Sequence, residues 1–383
     1  MARAFVIVLD ACGVGALPDA AAYGDHADCN TLQHVAELAG GLDLPVLASL
    51  GLGCIEPLVG VEPAAAPALH GRLRPLGPGK ESVTGHWELM GVVPHTPLPT
   101  YPHGFPAELV DALGRAVGRG FCCNRPYSGT QVLEDFGEHH LRTGELILYT
   151  SADSVAQIAA HHDVIDEASL HRLCATAREV MTGEHAVGRV IARPFAGAAG
   201  AFARTTGRHD YALPPPARSY LQEIADAGLP VHGVGKIRDL FAGVGVEHSH
   251  RGATNPEAIA AVTELVDALD AGLVFANLVD TDQVYGHRHD VPGFVRALQA
   301  IDGAVGGWLE RLGEDDLLVL TADHGVDPTS GHTDHTREHA LLLARFRGDG
   351  GRRHDGPLAD VGASALRWLT GRDAPELPGE PFL

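Results

Sequence analysis

Apolar residues fall along this chain in two patterns. Short, nearly unbroken runs occur at 5–9, 231–234, 273–279, 317–321 and 340–344. Runs of that length, rich in Val, Leu and Ile, predict strands buried on both faces, as in a parallel sheet. Between several of them, 256–271 and 291–312 place apolar residues at helical spacing. Strands alternating with helices predict an α/β domain with a largely parallel sheet between helices. Functional residues in such sheets gather beyond the carboxyl ends of the strands. Asp10, Asp280, Asp282 and Asp323 each follow a strand-like run directly.

Two proline-rich stretches, 94–102 and 214–216, bracket the middle of the chain. Proline stiffens an extended crossing and cannot continue a helix, so the pair predicts two passages between domains. Residues 100–216 then form a smaller inserted α/β cap, with strands near 146–149 and 187–191, and the core domain comprises 1–99 and 217–383. A length of 383 residues, 45% of them hydrophobic, suits this two-domain division.

No signal-peptide pattern opens the sequence, and no apolar run reaches the roughly 18 residues of a membrane span. The six cysteines (12, 29, 54, 122, 123 and 174) show no C-x-x-C pair. Reduced thiols in a soluble, cytoplasmic protein are expected. A net charge of −21 disfavours nucleic acid and anionic membranes as partners. Against that background, residues 189–238 hold seven basic and three acidic side chains, a net +4. Such a window suits a local anion site, although surface clustering also produces one. Lysine occurs only at 80 and 236, where a compact point charge serves in a way a guanidinium does not.

The chemistry concentrates between 279 and 339, in V-D-T-D282-Q-V-Y-G-H287, T-A-D323-H324-G and T-D-H335-T-R-E. Carboxylates with imidazoles form the mixed oxygen and nitrogen set that suits Mn, Zn or Fe. With Asp10 added, three carboxylates and three imidazoles are about what two adjacent divalent ions require. A second motif, G-K-E-S82-V-T84-G-H-W-E-L-M-G, spans 79–91 where a Gly-rich loop enters a helix. A helix start stabilises a phosphate or an alkoxide, but Ser-x-Thr there is more often a plain N-cap. Gly13 and Gly15 lack the third glycine of a dinucleotide fingerprint, and Gly235-Lys236 is no Walker A loop.

The strings G-K-E-S-V-T-G-H-W-E, T-S-A-D-S-V-A-Q-I-A, R-H-D-Y-A-L and V-G-K-I, with V-L-D10-A-C-G-V-G, make the chain resemble the phosphopentomutases. These stand in the superfamily of alkaline phosphatase and cofactor-independent phosphoglycerate mutase. The resemblance implies an alkaline-phosphatase-like core and interconversion of ribose 1-phosphate and ribose 5-phosphate, or their 2-deoxyribose equivalents. It implies a phosphothreonine enzyme, a pentose 1,5-bisphosphate intermediate and a sugar bisphosphate as priming activator. Two divalent ions, Mn2+ by the same resemblance, would be held by Asp10, Asp323 and His324 and by Asp282, His287 and His335. Thr84 would be the nucleophile, Asp153 would touch the sugar, and Arg189, Arg204 and Lys236 would grip the non-reacting phosphate. His332, beside a ligand, is an extra histidine. The implied partners are small pentose phosphates, with no obligate protein partner. Rival readings are a metal-dependent phosphatase or phosphoglycerate mutase of the same superfamily, and a non-catalytic metal sensor or scaffold.

Overall fold

A computed structural model describes residues 2–151 and 153–383. Its contacts divide the chain into a core unit, Met1–Thr96 with Pro215–Leu383, and an inserted unit, Pro97–Pro214. The strands in chain order are β1 (Arg3–Leu9), β2 (Gly13–Ala16) and β3 (Leu69–Arg74) in the core unit. The insert holds β4 (Phe121–Pro126), β5 (Leu146–Thr150), β6 (Val155–His161), β7 (Arg189–Ala196), β8 (Ala203–Arg204) and β9 (His209–Ala212). Back in the core unit come β10 (Val231–Val234), β11 (His248–His250), β12 (Gly272–Leu278), β13 (Asp316–Thr321), β14 (Glu338–Arg345) and β15 (Gly356–Pro357).

The core sheet runs β11-β10-β12-β1-β13-β14-β3-β15, with β2 also on β14. It is parallel from β11 to β13, and β14 then runs antiparallel to β13. The central strand reads R-A-F-V-I-V-L, and every residue after Arg3 is buried. Helices pack on the central strands: Asp360–Thr370 packs on β1 beside Tyr220–Asp226 and Ser82–Leu89, while Asn255–Ala268 packs on β12 beside Val291–Leu309. Among the described residues no helix is long and apolar enough to cross a membrane.

The register of the three central strands sets the position of the acids. Leu9 lies beside Leu278, and Val8 beside Thr321. Continuing the second pairing by two residues brings Asp10 level with Asp323. All three strands therefore deliver carboxylates at one sheet edge, the carboxyl end expected of an open parallel sheet.

The insert forms its own sheet, β4-β5-β6-β7-β8, with β9 also on β7. Alternation along β5 sends Leu146 and Leu148 into one apolar cluster with Leu113, Leu170 and Val190. Ile147 and Tyr149 enter another with Val132, Leu133 and Phe195. A strand flanked by helical layers on both faces needs this all-apolar sequence.

Candidate metal centre

Asp10 follows β1 directly and is fully buried. The chain leaves it through Ala11, held at φ 62°, a left-handed backbone that costs a residue with a Cβ on the order of 1 kcal/mol. That turn aims the Ala11 amide at Asp323, 3.3 Å from Oδ1. Asp323 and His324 follow β13, and Asp282 and His287 lie in the two short helical turns after β12. His335 lies between β13 and β14.

These six residues converge. His324 Nε2 is 3.4 Å from Asp10 Oδ1 and 3.3 Å from Asp323 Oδ2. Asp282 Oδ1 is 3.4 Å from both His287 Nε2 and His335 Nε2. The rings of His324 and His335 stack with centroids 3.9 Å apart. Ligand atoms of Asp282, His287 and His335 form one compact group, and those of Asp10, Asp282 and His324 form another. Asp282 thus stands between the two halves of the cluster.

His332, the extra histidine of that segment, turns away, with its Nε2 3.1 Å from Asp25 Oδ1. Asp280 is likewise spent elsewhere: it accepts from the Asn255 amide at 3.0 Å and its own amide donates to Asn255 Oδ1.

The donors fit divalent cations. Asp10 Oδ1, Asp282 Oδ1 and Asp323 Oδ2 are buried without a full hydrogen bond, a costly state for carboxylate oxygens taken out of water. Burial, then the charges of Asp323 and Asp282, push the Asp10 carboxyl well above its usual range. Burial also holds the His324 imidazolium down to about 4, so the ring is neutral and offers a lone pair at pH 7. Asp282, although burial opposes its charge, is kept below the usual range by His335, His324 and His287.

Supporting residues complete the cluster. Asn277, in β12, donates through Nδ2 to Asp10 Oδ2 and to His86 Nε2, both at 3.0 Å. His86 Nε2 is therefore an acceptor, which puts its proton on Nδ1, 2.8 Å from Ser82 O and 3.1 Å from Asp323 Oδ2. One chain of contacts links two candidate ligands to the start of helix Ser82–Leu89. The sequence reading did not assign Asn277, though the signal existed: it is the only polar side chain in G-L-V-F-A-N-L.

That helix carries Thr84, which is 1% exposed. Gly85 makes the approach possible, since a Cβ there would meet Asp323 O at 2.5 Å. A Cβ on Gly79 would meet Thr84 Oγ1 at 2.0 Å. Thr84 Oγ1 donates to Glu81 O at 3.2 Å, while Ser82 Oγ is the hydroxyl within reach of His324 Nε2, at 3.1 Å. Glu88 pins the preceding loop by accepting from the amides of Leu76 and Gly77.

The two lysines have separate fates. Lys80 Nζ is bound to Asp25 Oδ1 at 2.8 Å and to Tyr23 O at 3.2 Å, anchoring the Gly-rich loop. Lys236 Nζ stands 3.8 Å from Asp10 Oδ2, beside the cluster. Arg189, Arg204 and Asp153 belong to the inserted unit. Arg189 lies 3.9 Å from Asp153 Oδ2 and 3.5 Å from Asp210 Oδ2, and Arg204 Nε donates to Gly129 O at 3.0 Å. Arg193, beside them and unassigned from sequence, donates to Gln157 Oε1; burial, then Arg208 and Arg204, pull its guanidinium down to about 10. A concentration of positive charge that lowers one of its own members suits an anion.

A model of the metalloenzyme superfamily matches residues 2–370. A phosphopentomutase of Anaeromyxobacter sp. (strain K) is 48% identical over 371 residues, covering 96% of this chain and 95% of its own. That of Caldanaerobacter subterraneus subsp. tengcongensis is 48% identical over 342 residues, covering 89% and 86%. Among solved structures, the PH0037 protein from Pyrococcus horikoshii superposes with a TM-score of 0.50 at 14% identity, over 97% of this chain and 98% of that one, a likeness of fold. The fold is the alkaline-phosphatase-like α/β type, and the donor cluster makes this a metal-binding protein of that class. At 48% identity over 96% of its length, the chain belongs to the phosphopentomutases, isomerases of the metalloenzyme superfamily.

Proposed function

We propose that the enzyme interconverts ribose 1-phosphate and ribose 5-phosphate, and the 2-deoxyribose equivalents, in the cytoplasm. Thr84 is the group that carries the phosphoryl. The observation that carries this reading is the close seating of helix Ser82–Leu89 on the strand-end cluster, through Gly85 against Asp323. Two divalent ions, Mn2+ in this reading, would be held by Asp10, Asp323 and His324 and by Asp282, His287 and His335. Their charge would stabilise the transferring phosphoryl and its flanking oxygens.

Phosphoryl transfer needs positioning and charge more than covalent help. In the first step the bond between phosphorus and Thr84 Oγ1 breaks. A bond forms to the free hydroxyl of the pentose monophosphate, whose proton ends on Thr84 Oγ1. In the second step Thr84 Oγ1 takes the bisphosphate's other phosphoryl, the bond from that phosphorus to the sugar oxygen breaks, the oxygen receives the Thr84 proton, and the isomer leaves. Amides of the helix start favour the negative charge on Thr84. Lys236 adds a fixed cation at that centre, Arg189 and Arg204 bind the phosphate that is not reacting, and Asp153 holds the sugar.

Because Thr84 must be charged before isomerisation begins, a sugar bisphosphate such as glucose 1,6-bisphosphate should activate the resting enzyme. Mass mapping should then find phosphate on Thr84. Thr84→Val keeps the shape and deletes the oxygen, so it should abolish isomerisation while metal content persists. Phosphate on Ser82, whose hydroxyl touches His324, or an active Thr84→Val enzyme would move the nucleophile to Ser82.

A further inference from the structure

The inserted unit carries a second convergence of metal-binding side chains, made of Cys122, His139 and Glu145, whose ligand atoms all lie within 4.8 Å of one another. Cys122 is in β4, His139 is in the last turns of helix Gln131–Thr143, and Glu145 directly precedes β5. His139 Nε2 is 2.6 Å from Glu145 Oε2. The Cys122 thiol makes a long contact, 3.6 Å, to Leu146 O.

The backbone around these donors is fixed by the structure rather than by the donors. β4 and β5 pair in parallel with Phe121 beside Leu146 and Cys122 beside Ile147. The turn between helix and strand is pinned by His140, which is fully buried. His140 Nε2 accepts from the His161 amide at 2.9 Å, so its proton lies on Nδ1 and is given to Glu145 O at 2.6 Å. Glu145 N donates to Thr143 Oγ1, and Gly144 N to His140 O. A neighbouring cation, Arg119, is spent on Gly144 O at 3.2 Å.

We propose that Cys122, His139 and Glu145 form a zinc site in the inserted unit, with water as the fourth ligand. A thiolate, an imidazole and a carboxylate make a set soft enough to select Zn2+ over Mn2+ or Mg2+. Zn–S, Zn–N and Zn–O bonds of roughly 2.0–2.3 Å set tetrahedral donors about 3.3–3.8 Å apart. The ion therefore draws three donors that lie within 4.8 Å of one another to that spacing, and parts His139 Nε2 from Glu145 Oε2, 2.6 Å away in their hydrogen bond. The electrostatics agree: burial, then the Glu145 carboxylate, push the Cys122 thiol up to about 12, and a dication between the two groups reverses both effects. His139 and Glu145 have side chains 38% and 39% exposed, which leaves an entry path. On binding, the ion takes the place of the proton between His139 and Glu145, and the thiol proton passes to solvent. The ion ties helix Gln131–Thr143 to β4 and β5.

Co2+ is the probe, added to the full-length enzyme kept in excess Mn2+ so that the strand-end cluster stays loaded. One equivalent of Co2+ should produce the near-ultraviolet charge-transfer band of a cobalt–thiolate bond, and Zn2+ should displace it. Cys122→Ser should abolish the band. His139→Ala, at a half-exposed ring, should weaken binding at least tenfold without unfolding the protein. No band in the wild type overturns the proposal. So does a band that survives Cys122→Ser, because the thiolate would then come from another cysteine, such as Cys12 beside Asp10. Isomerase activity under excess Mn2+ should be unchanged in both variants.

Discussion

Asn277→Leu isolates what a buried amide contributes to the metal centre. Leucine keeps asparagine's branched outline and heavy-atom count, so the side chain follows the same path in β12 with two bulkier methyl groups, while Nδ2 is lost. That atom serves both Asp10 Oδ2 and His86 Nε2 at 3.0 Å, in a place where both partners are wholly buried. A hydrogen bond to a charged group is worth about 1.5–3 kcal/mol. Asp10 needs that support, because burial and two neighbouring carboxylates already push its pKa up. Metal binding requires Asp10 ionised, so the loss should appear as affinity: about 10–100-fold, the range for removing a residue that orients a ligand. Equilibrium dialysis with elemental analysis would measure it, beside isomerase assays across a Mn2+ titration. Activity should fall at limiting metal and recover largely at excess metal. A folded Asn277→Leu protein whose metal affinity stays within about twofold of wild type would refute the argument, and His86 and Asn277 would then be packing residues only.

Asp323→Asn should remove most bound metal and activity, since it deletes a buried anionic ligand; full metal content by elemental analysis would reject Asp323 as a ligand. Lys236→Ala should raise KM and lower kcat while metal affinity holds or tightens, because the substitution also removes a cation 3.8 Å from Asp10; weaker metal binding with unchanged KM would reverse that assignment. Gly79→Ala should cut turnover at least tenfold with little loss of fold, since its Cβ would fall 2.0 Å from Thr84 Oγ1; steady-state kinetics decide, and normal turnover would show that the loop yields. Burial pushes the Glu88 carboxyl up to about 7, so the folded state binds more protons than the unfolded one between its ordinary pKa and 7. Its contribution must therefore fall as pH rises through that window, by up to about 3 kcal/mol. Denaturant unfolding of Glu88→Gln against wild type should show the downward slope removed, whatever the absolute stability, and identical slopes would contradict it.

Much of this protein is written locally in its sequence. The apolar runs at 231–234, 273–279 and 317–321 match strands Val231–Val234, Gly272–Leu278 and Asp316–Thr321 to within a residue. A strand buried on both faces must be apolar throughout, and that requirement is legible without a partner strand. The acids after those strands were legible too, because a charge closing an apolar run has only the sheet edge to occupy. Helix ends were less so: the pattern over 256–271 ends as a helix at Ala268, and that over 291–312 at Leu309. Helix propensity and spacing continue past the residue at which the chain must turn into a strand.

What only the tertiary structure decided is which of several like residues meets which partner. Of two lysines after glycine, one anchors a loop on Asp25 and the other faces Asp10. Of two histidines three residues apart, His335 reaches Asp282 and His332 reaches Asp25. Of two hydroxyls at one helix start, Ser82 touches His324 and Thr84 is folded against Gly79. Asn277, a polar residue inside an apolar strand, finds Asp10 because β1 lies beside β12. Most of these choices depend on strand register and side-chain direction between segments far apart in the chain, 55 residues for Lys80 and Asp25 and 307 for His332 and Asp25. Residue type alone says that a group can bind, whereas the closing of the sheet brings Asp10 level with Asp323 and so fixes what it binds.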